Sequence, residues 1–130
     1  MRIMFLPFFA IALLLTGCAA STGKLKKTRY RQITMEEALQ LMQGEVDYII
    51  LDVRRTDEFA EGHIPGAVNV PNEEIGDTDV AEFPDKSKLI FVYCRSGRRS
   101  KEAAEKLVKL GYTNIVEFGG ILDYKGEIEK

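Results

Sequence analysis

What the chain lacks narrows the chemistry open to it. It holds two cysteines, Cys18 and Cys94, one histidine, His63, and no tryptophan. A metal centre gathers three or four soft or imidazole ligands at one point. One histidine and one free thiol fall short of that, so neither a metal nor any other cofactor is expected. Basic excess is missing too: 18 Lys and Arg stand against 20 Asp and Glu, for a net charge of −2. A nucleic-acid partner is therefore not expected, since binding one calls for a basic surface that neutralises phosphates. Internal repeats and low-complexity tracts are absent, and no apolar run is long enough to span a bilayer comfortably. What remains is room for one domain, with 45% hydrophobic and 29% charged residues, enough for a globular core.

The N-terminal end is different material. Met1-Arg2 is a short basic start, and Ile3 to Leu15 is unbroken apolar sequence containing Pro7. That run has the length of a signal-peptide core. Leu15-Thr16-Gly17-Cys18 follows it and resembles the bacterial lipobox, whose cysteine is lipidated and becomes the mature N-terminus. The resemblance implies a lipoprotein signal peptide over residues 1–17 and lipid (palmitate) on Cys18. The protein would then be a lipoprotein on the extracytoplasmic side of a bacterial membrane. Residues 18–31 read as the lipidated end and a flexible tether, because Ser21 to Arg31 is polar, basic and without apolar periodicity. With Cys18 so used, Cys94 is the one free thiol, in a compartment where disulfides are common. An unpaired thiol there is a candidate reactive group.

From residue 32 to 130 strands and helices alternate. Ile33 reads as a short entering strand. Thr34-Met35-Glu36-Glu37 fits a capping box, Met35, Ala38, Leu39 and Met42 form one helical face, and Gly44 supplies the stop. Asp47 to Val53 is apolar without alternation, as a strand buried on both faces reads. Thr56 to Glu61 is a short helix with Thr56 as N-cap. Residues 62–67 form a turn, Val68 to Val70 a brief strand, and Asn72 to Ile75 one helical turn in an acidic stretch. Leu89 to Tyr93 is a second buried strand. Ala103, Ala104, Leu107, Val108 and Leu110 mark a helix over Lys101 to Leu110, with Glu102–Lys106 and Glu105–Lys109 as i,i+4 pairs and Gly111 as its end. Ile115 to Phe118 is a last strand, Gly119-Gly120 a sharp turn, and Ile121 to Lys130 a terminal helix. Alternation of this kind predicts an α/β fold with a parallel sheet, whose sites lie beyond the carboxyl ends of its strands.

Cys94-Arg95-Ser96-Gly97-Arg98-Arg99-Ser100 lies at such an end. The N–H groups opening the next helix, its dipole and three arginines all favour an anionic sulfur. Gly97 lets the loop curl without a Cβ in the way. Ser96 and Ser100 either add hydroxyl donors or cap the turn and the helix. Arg95 and Arg98 are placed to meet an incoming anion. Asp52, on the neighbouring strand, either pairs with a loop arginine or with Arg54, or caps the turn that follows.

Asp52-Val53-Arg54, residues 62–71 (Gly-His-Ile-Pro-Gly-Ala-Val-Asn-Val-Pro), the Cys94–Ser100 loop and Gly119-Gly120-Ile121 together resemble a single-domain rhodanese. The resemblance runs from about Ile33 to the C-terminus in order and spacing. It implies a rhodanese-like α/β fold, a central five-stranded parallel sheet with helices on both faces, and Cys94 as a nucleophile that forms a persulfide. It also implies Arg99 as the arginine that shapes the loop, and a structural role for His63. The implied activity is transfer of a sulfane sulfur from thiosulfate or a persulfide to cyanide or a thiol. Arg98 departs from the family, which often carries a small polar residue there, and Tyr124 stands near a usual tryptophan. Two other readings stay open: a module that carries sulfur or binds a partner without turnover, and a cysteine-dependent phosphatase or arsenate reductase. The phosphatase loop is one residue longer than the four residues between Cys94 and Arg99, and it calls for a general acid.

Overall fold

The computed structural model describes residues 29–130. Signal segment, Cys18 and most of the tether lie outside the described residues. The elements, in chain order, are β1 (Arg31–Gln32), α1 (Met35–Gly44), β2 (Tyr48–Asp52), α2 (Thr56–Glu61), β3 (Val68–Asn69), β4 (Leu89–Cys94), α3 (Arg98–Lys109) and β5 (Ile115–Gly120). Single 3₁₀ turns occupy Asn72–Glu74 and Ile121–Asp123. The strands form one parallel sheet in the order β1-β5-β4-β2-β3. Its first strand opens at Arg31, the final residue of the expected tether.

The central strand β4 explains the unbroken apolar runs. Ile90, Val92 and Cys94 face one core, with Leu51, Val53, Ile115 and the α3 residues Ala103, Ala104 and Leu107. Phe91 and Tyr93 face the other, with Ile50, Val116, Phe118 and the α1 residues Met35, Ala38 and Met42. A strand covered on both sides needs apolar residues at every position, so period-2 alternation disappears. The helices lie on opposite faces, and β4 delivers Cys94 to the upper edge between them.

Helix α1 begins as expected. The Glu37 N–H donates to Thr34 Oγ1 at 3.1 Å and the Thr34 N–H to Glu37 Oε1 at 3.5 Å. Its final residue is Gly44, with Glu45 as C-cap in extended conformation, so the stop involves no left-handed glycine. Helix α3 closes in a Schellman arrangement: Gly111, at φ +98°, donates to Val108 O and Tyr112 to Leu107 O.

Several expectations are corrected. The N-cap of α2 is Arg55, with Thr56 its first helical residue; Glu58 accepts the Arg55 N–H at 3.2 Å, which leaves the Thr56 hydroxyl without a capping role. Helix α3 starts at Arg98, three residues before the apolar stripe suggested, because its first turn belongs to the Cys94 loop. Among the described residues neither i,i+4 pair forms on it: Glu102 takes Arg98 and the Asn72 amide, and Lys106 reaches Asn72. Gly119 and Gly120 end β5, where Gly120 pairs with Cys94 across a register shift. The terminal helix is one 3₁₀ turn; beyond it the chain runs as a strap whose Glu129 exchanges backbone hydrogen bonds with His63, both 2.9 Å.

Candidate active site

Cys94 is the last residue of β4 and only 1% exposed. The chain then turns sharply through Arg95 and Ser96 to Gly97, whose φ of +113° suits a residue without a Cβ. That turn brings the Gly97 N–H to 3.0 Å from Cys94 Sγ. Among the described residues it is the one amide that reaches the sulfur, where several of the N–H groups opening the helix were expected to do so. The first intrahelical bond of α3 runs from Lys101 N–H to Gly97 O at 3.4 Å. The amides of Arg98, Arg99 and Ser100 precede it, so no carbonyl of their own helix takes them, and they give the helix mouth its positive field.

The loop's shape is fixed from two sides. On one, Gly120 lies against the Arg95 carbonyl and the Ser96 amide so closely that a Cβ there would collide with both; the Leu122 N–H also donates to Arg95 O at 3.2 Å. On the other, Arg99 makes a two-point ion pair with Glu58 of α2, Nη1 to Oε1 at 2.6 Å and Nη2 to Oε2 at 3.1 Å. Arg99's hydrogen bonds, against a smaller cost of burial, hold the Glu58 carboxyl at about 2, well below the ordinary carboxylate range. The arginine that closes the loop is thus committed to tying α3 to α2.

Under the thiol lies a buried polar group. Ser100 Oγ is 3.4 Å from Cys94 Sγ and 2.6 Å from Oε1 of Glu117, which also accepts the Gly119 N–H at 2.8 Å. Ser100 is fully buried and Glu117 is 1% exposed.

Arg95, Ser96 and Arg98 are exposed at the rim. Arg98 pairs with Glu102 at 2.9 Å, whereas Arg95 has no ion pair among the described residues. Beside the loop, between α1 and the 119–126 segment, lies an open cleft of about 880 Å³. Ser96, Gly97, Lys101 and Leu122 are among the residues lining it.

Asp52 and Arg54 form a buried unit of their own. Asp52 accepts the Arg54 N–H at 2.9 Å and its guanidinium at 2.7 Å, and Arg54 also donates to Gly62 O at 2.7 Å. Burial pulls the Arg54 guanidinium down, but the bonds to Asp52 outweigh it and leave the group raised. Asp52 therefore both pairs with Arg54 and caps the following turn, and no loop arginine reaches it. The nearby Tyr93 phenol, raised chiefly by burial, accepts the Ile64 N–H at 3.1 Å. His63 stacks on Phe59, centroids 3.7 Å apart, with Nδ1 2.9 Å from Phe59 O. Its contacts hold the turn and none of them involves Cys94.

Sequence reasoning did not find Glu58 or Glu117. Glu58 leaves no local signal, because its partner is 41 residues away. Glu117 leaves one, a lone charge inside the apolar run Ile115-Val116-Glu117-Phe118.

A thiol at a strand's end, under a helix mouth and inside a short arginine-bearing loop, is the centre of the candidate site. The family model for the rhodanese-like domain matches residues 34–127, and the chain belongs to that family. It is 37% identical over 73 residues to the thiosulfate sulfurtransferase PspE of Escherichia coli, covering 56% of this chain and 70% of that protein. It is 33% identical over 125 residues to the E. coli protein YibN, covering 93% of this chain and 87% of the other. Among solved structures, an E. coli rhodanese with anions superposes with a TM-score of 0.58 at 34% identity, covering 64% of this chain and 98% of that one.

Proposed function

We propose that this protein is a sulfurtransferase that moves a sulfane sulfur through a persulfide on Cys94. The observation that carries the reading is the Gly97 N–H at 3.0 Å from the sulfur, at the mouth of α3. A thiolate and a terminal persulfide are both anions, and fixed amides with a helix dipole favour both. The Cys94 thiolate attacks the outer sulfur of thiosulfate; the new S–S bond forms as the old one breaks, and sulfite leaves with the electron pair. Cyanide or a thiolate then attacks the outer sulfur of Cys94–S–S⁻, and the Cys94 thiolate leaves. Arg95 and Arg98 at the rim raise the encounter rate of the anionic donor. The name of PspE supports thiosulfate as donor.

Thiocyanate formation by wild type and Cys94→Ser, with intact mass after thiosulfate treatment, tests the reading. Wild type gains one sulfur and turns over; the variant does neither. Equal rates refute the assignment. A carrier without turnover is the second reading, favoured by the near-complete burial of Cys94; it predicts the added sulfur without catalytic thiocyanate. Phosphatase chemistry is disfavoured because Arg99 is taken up by Glu58, so no hydrolysis of p-nitrophenyl phosphate is expected.

The N-terminal reading joins this proposal: signal peptide over 1–17, lipid on Cys18, tether to residue 31, and the domain held at an extracytoplasmic membrane face. Cys18→Ser abolishes palmitate labelling and membrane fractionation if the reading holds. Persistent labelling refutes it.

A further inference from the structure

We propose that Glu117 takes the Cys94 proton through the Ser100 hydroxyl, so that one proton is shared between thiol and carboxylate. The proposal rests on the reading of Cys94 as nucleophile. Its starting point is a carboxylate 1% exposed, inside a sheet, with no cation paired to it among the described residues. Burying a charge without a counter-ion is costly unless hydrogen bonds or a proton compensate it. Glu117 has two donors, the Gly119 N–H and the Ser100 O–H, both on Oε1.

The proton count at Ser100 defines the path. Its oxygen lies near three acceptors, Glu117 Oε1 at 2.6 Å, Gly97 O at 2.9 Å and Gly119 O at 3.4 Å, and it has one hydrogen to give. The short bond to an ionised carboxylate is the strong one. With the hydroxyl hydrogen on Glu117, a serine lone pair accepts the Cys94 S–H at 3.4 Å. Moving both hydrogens one place along this chain turns Cys94–SH, Ser100–OH and Glu117–COO⁻ into Cys94–S⁻, Ser100–OH and Glu117–COOH. Net charge is unchanged. The Ser100 hydrogen then points at the sulfur, and Gly97 N–H supplies the second donor to the anion. Sulfur uptake balances in the same way: Cys94–SH, Glu117–COO⁻ and thiosulfate give Cys94–S–S⁻, Glu117–COOH and sulfite.

Other groups around the pair do not replace this route. On α3, Arg99 lies close enough for its charge to interact with Cys94, but is bound to Glu58. Lys101 and Asp123 share the cleft lining with Glu117, and Asp123 Oδ2 lies 3.9 Å from where a Cβ on Gly119 would stand. On the β1 side Gln32 is in register with Glu117, the Tyr30 phenol is raised by burial and then by the charges of Glu105 and Glu117, and Arg31 is exposed. The β4 and β5 neighbours are apolar. Glu117 is among the residues lining the cleft, which is the side on which the proposed proton leaves.

The test is the pH dependence of Cys94 alkylation by iodoacetamide, which requires no sulfur transfer. Glu117→Gln keeps an acceptor for both donors and removes the proton site. Thiol reactivity follows the thiolate fraction, so the variant's rate falls about tenfold per pH unit on the acid side. Wild type shows a shoulder there, the signature of two groups sharing a proton. Ser100→Ala keeps the carboxylate but loses the shoulder. Superimposable profiles for wild type and Glu117→Gln overturn the proposal, and a shoulder retained in Ser100→Ala overturns the serine bridge. A second readout needs no variant: infrared difference spectra on sulfur loading gain a carboxylic-acid band. If mass shows loading and no band appears, Glu117 is structural only. Failure to load at all points instead to the proposed function.

Discussion

The Arg99–Glu58 pair offers a test in which charge and pH must agree. Glu58→Gln preserves size and removes the charge. Holding a carboxyl at about 2 in place of 4.5 corresponds to about 3.4 kcal/mol favouring the folded, ionised form. The two side chains remain 20% and 13% exposed, so water screens part of this, and about 2 kcal/mol is the expected loss at pH 7. The sign follows from the depressed value. The contribution is complete above about pH 4.5 and is lost as pH falls towards 2. By pH 3 about 40% of it remains. Urea unfolding of wild type and Glu58→Gln at pH 7 and pH 3 measures the gap directly. A gap that narrows to less than half supports the ion pair. An equal gap at both pH values, or none at pH 7, refutes the reasoning.

Three further outcomes follow from the geometry. Tyr93→Phe removes the acceptor of the Ile64 N–H and orphans a buried donor, so thermal unfolding should show a loss of about 1–3 kcal/mol. Thr34→Ala breaks the capping box of α1 and should cost about 1 kcal/mol in urea titration, with sulfur transfer unchanged. Arg98→Asn leaves stability within about 0.5 kcal/mol, since its pair with Glu102 is exposed. In the proposed reaction it raises KM for thiosulfate and flattens the salt dependence; an unaltered KM refutes a steering role for Arg98.

The elements legible from sequence are those whose signals are local. The capping box of α1 and the double-sided apolar runs of β2 and β4 needed no partner to be read, and the family resemblance added the count of five parallel strands. The missed features depend on distant segments. Ile121 to Lys130 carries enough apolar residues to suggest a helix, yet it is held as a strap by His63. Arg55 displaces Thr56 as cap because Glu58 turns back on its backbone. The Cys94–Ser100 loop was legible as a candidate site, but its supports, Glu58 of α2 and Glu117 and Gly120 of β5, come from two other elements, and only the fold brings them to it.

Gly120 has a consequence for mapping function by mutation. It offers no side chain to a substrate, yet any side chain placed there would strike the Arg95 carbonyl and the Ser96 amide. In a saturation scan selected for activity, alanine at this position should be as damaging as the loss of Cys94. Selected for abundance alone, the same substitution should score far more mildly, since the displaced segment is an exposed rim. A residue without chemistry would then carry the statistical profile of a reactive one, and only the two selections read together would separate the tool from the surface it rests on.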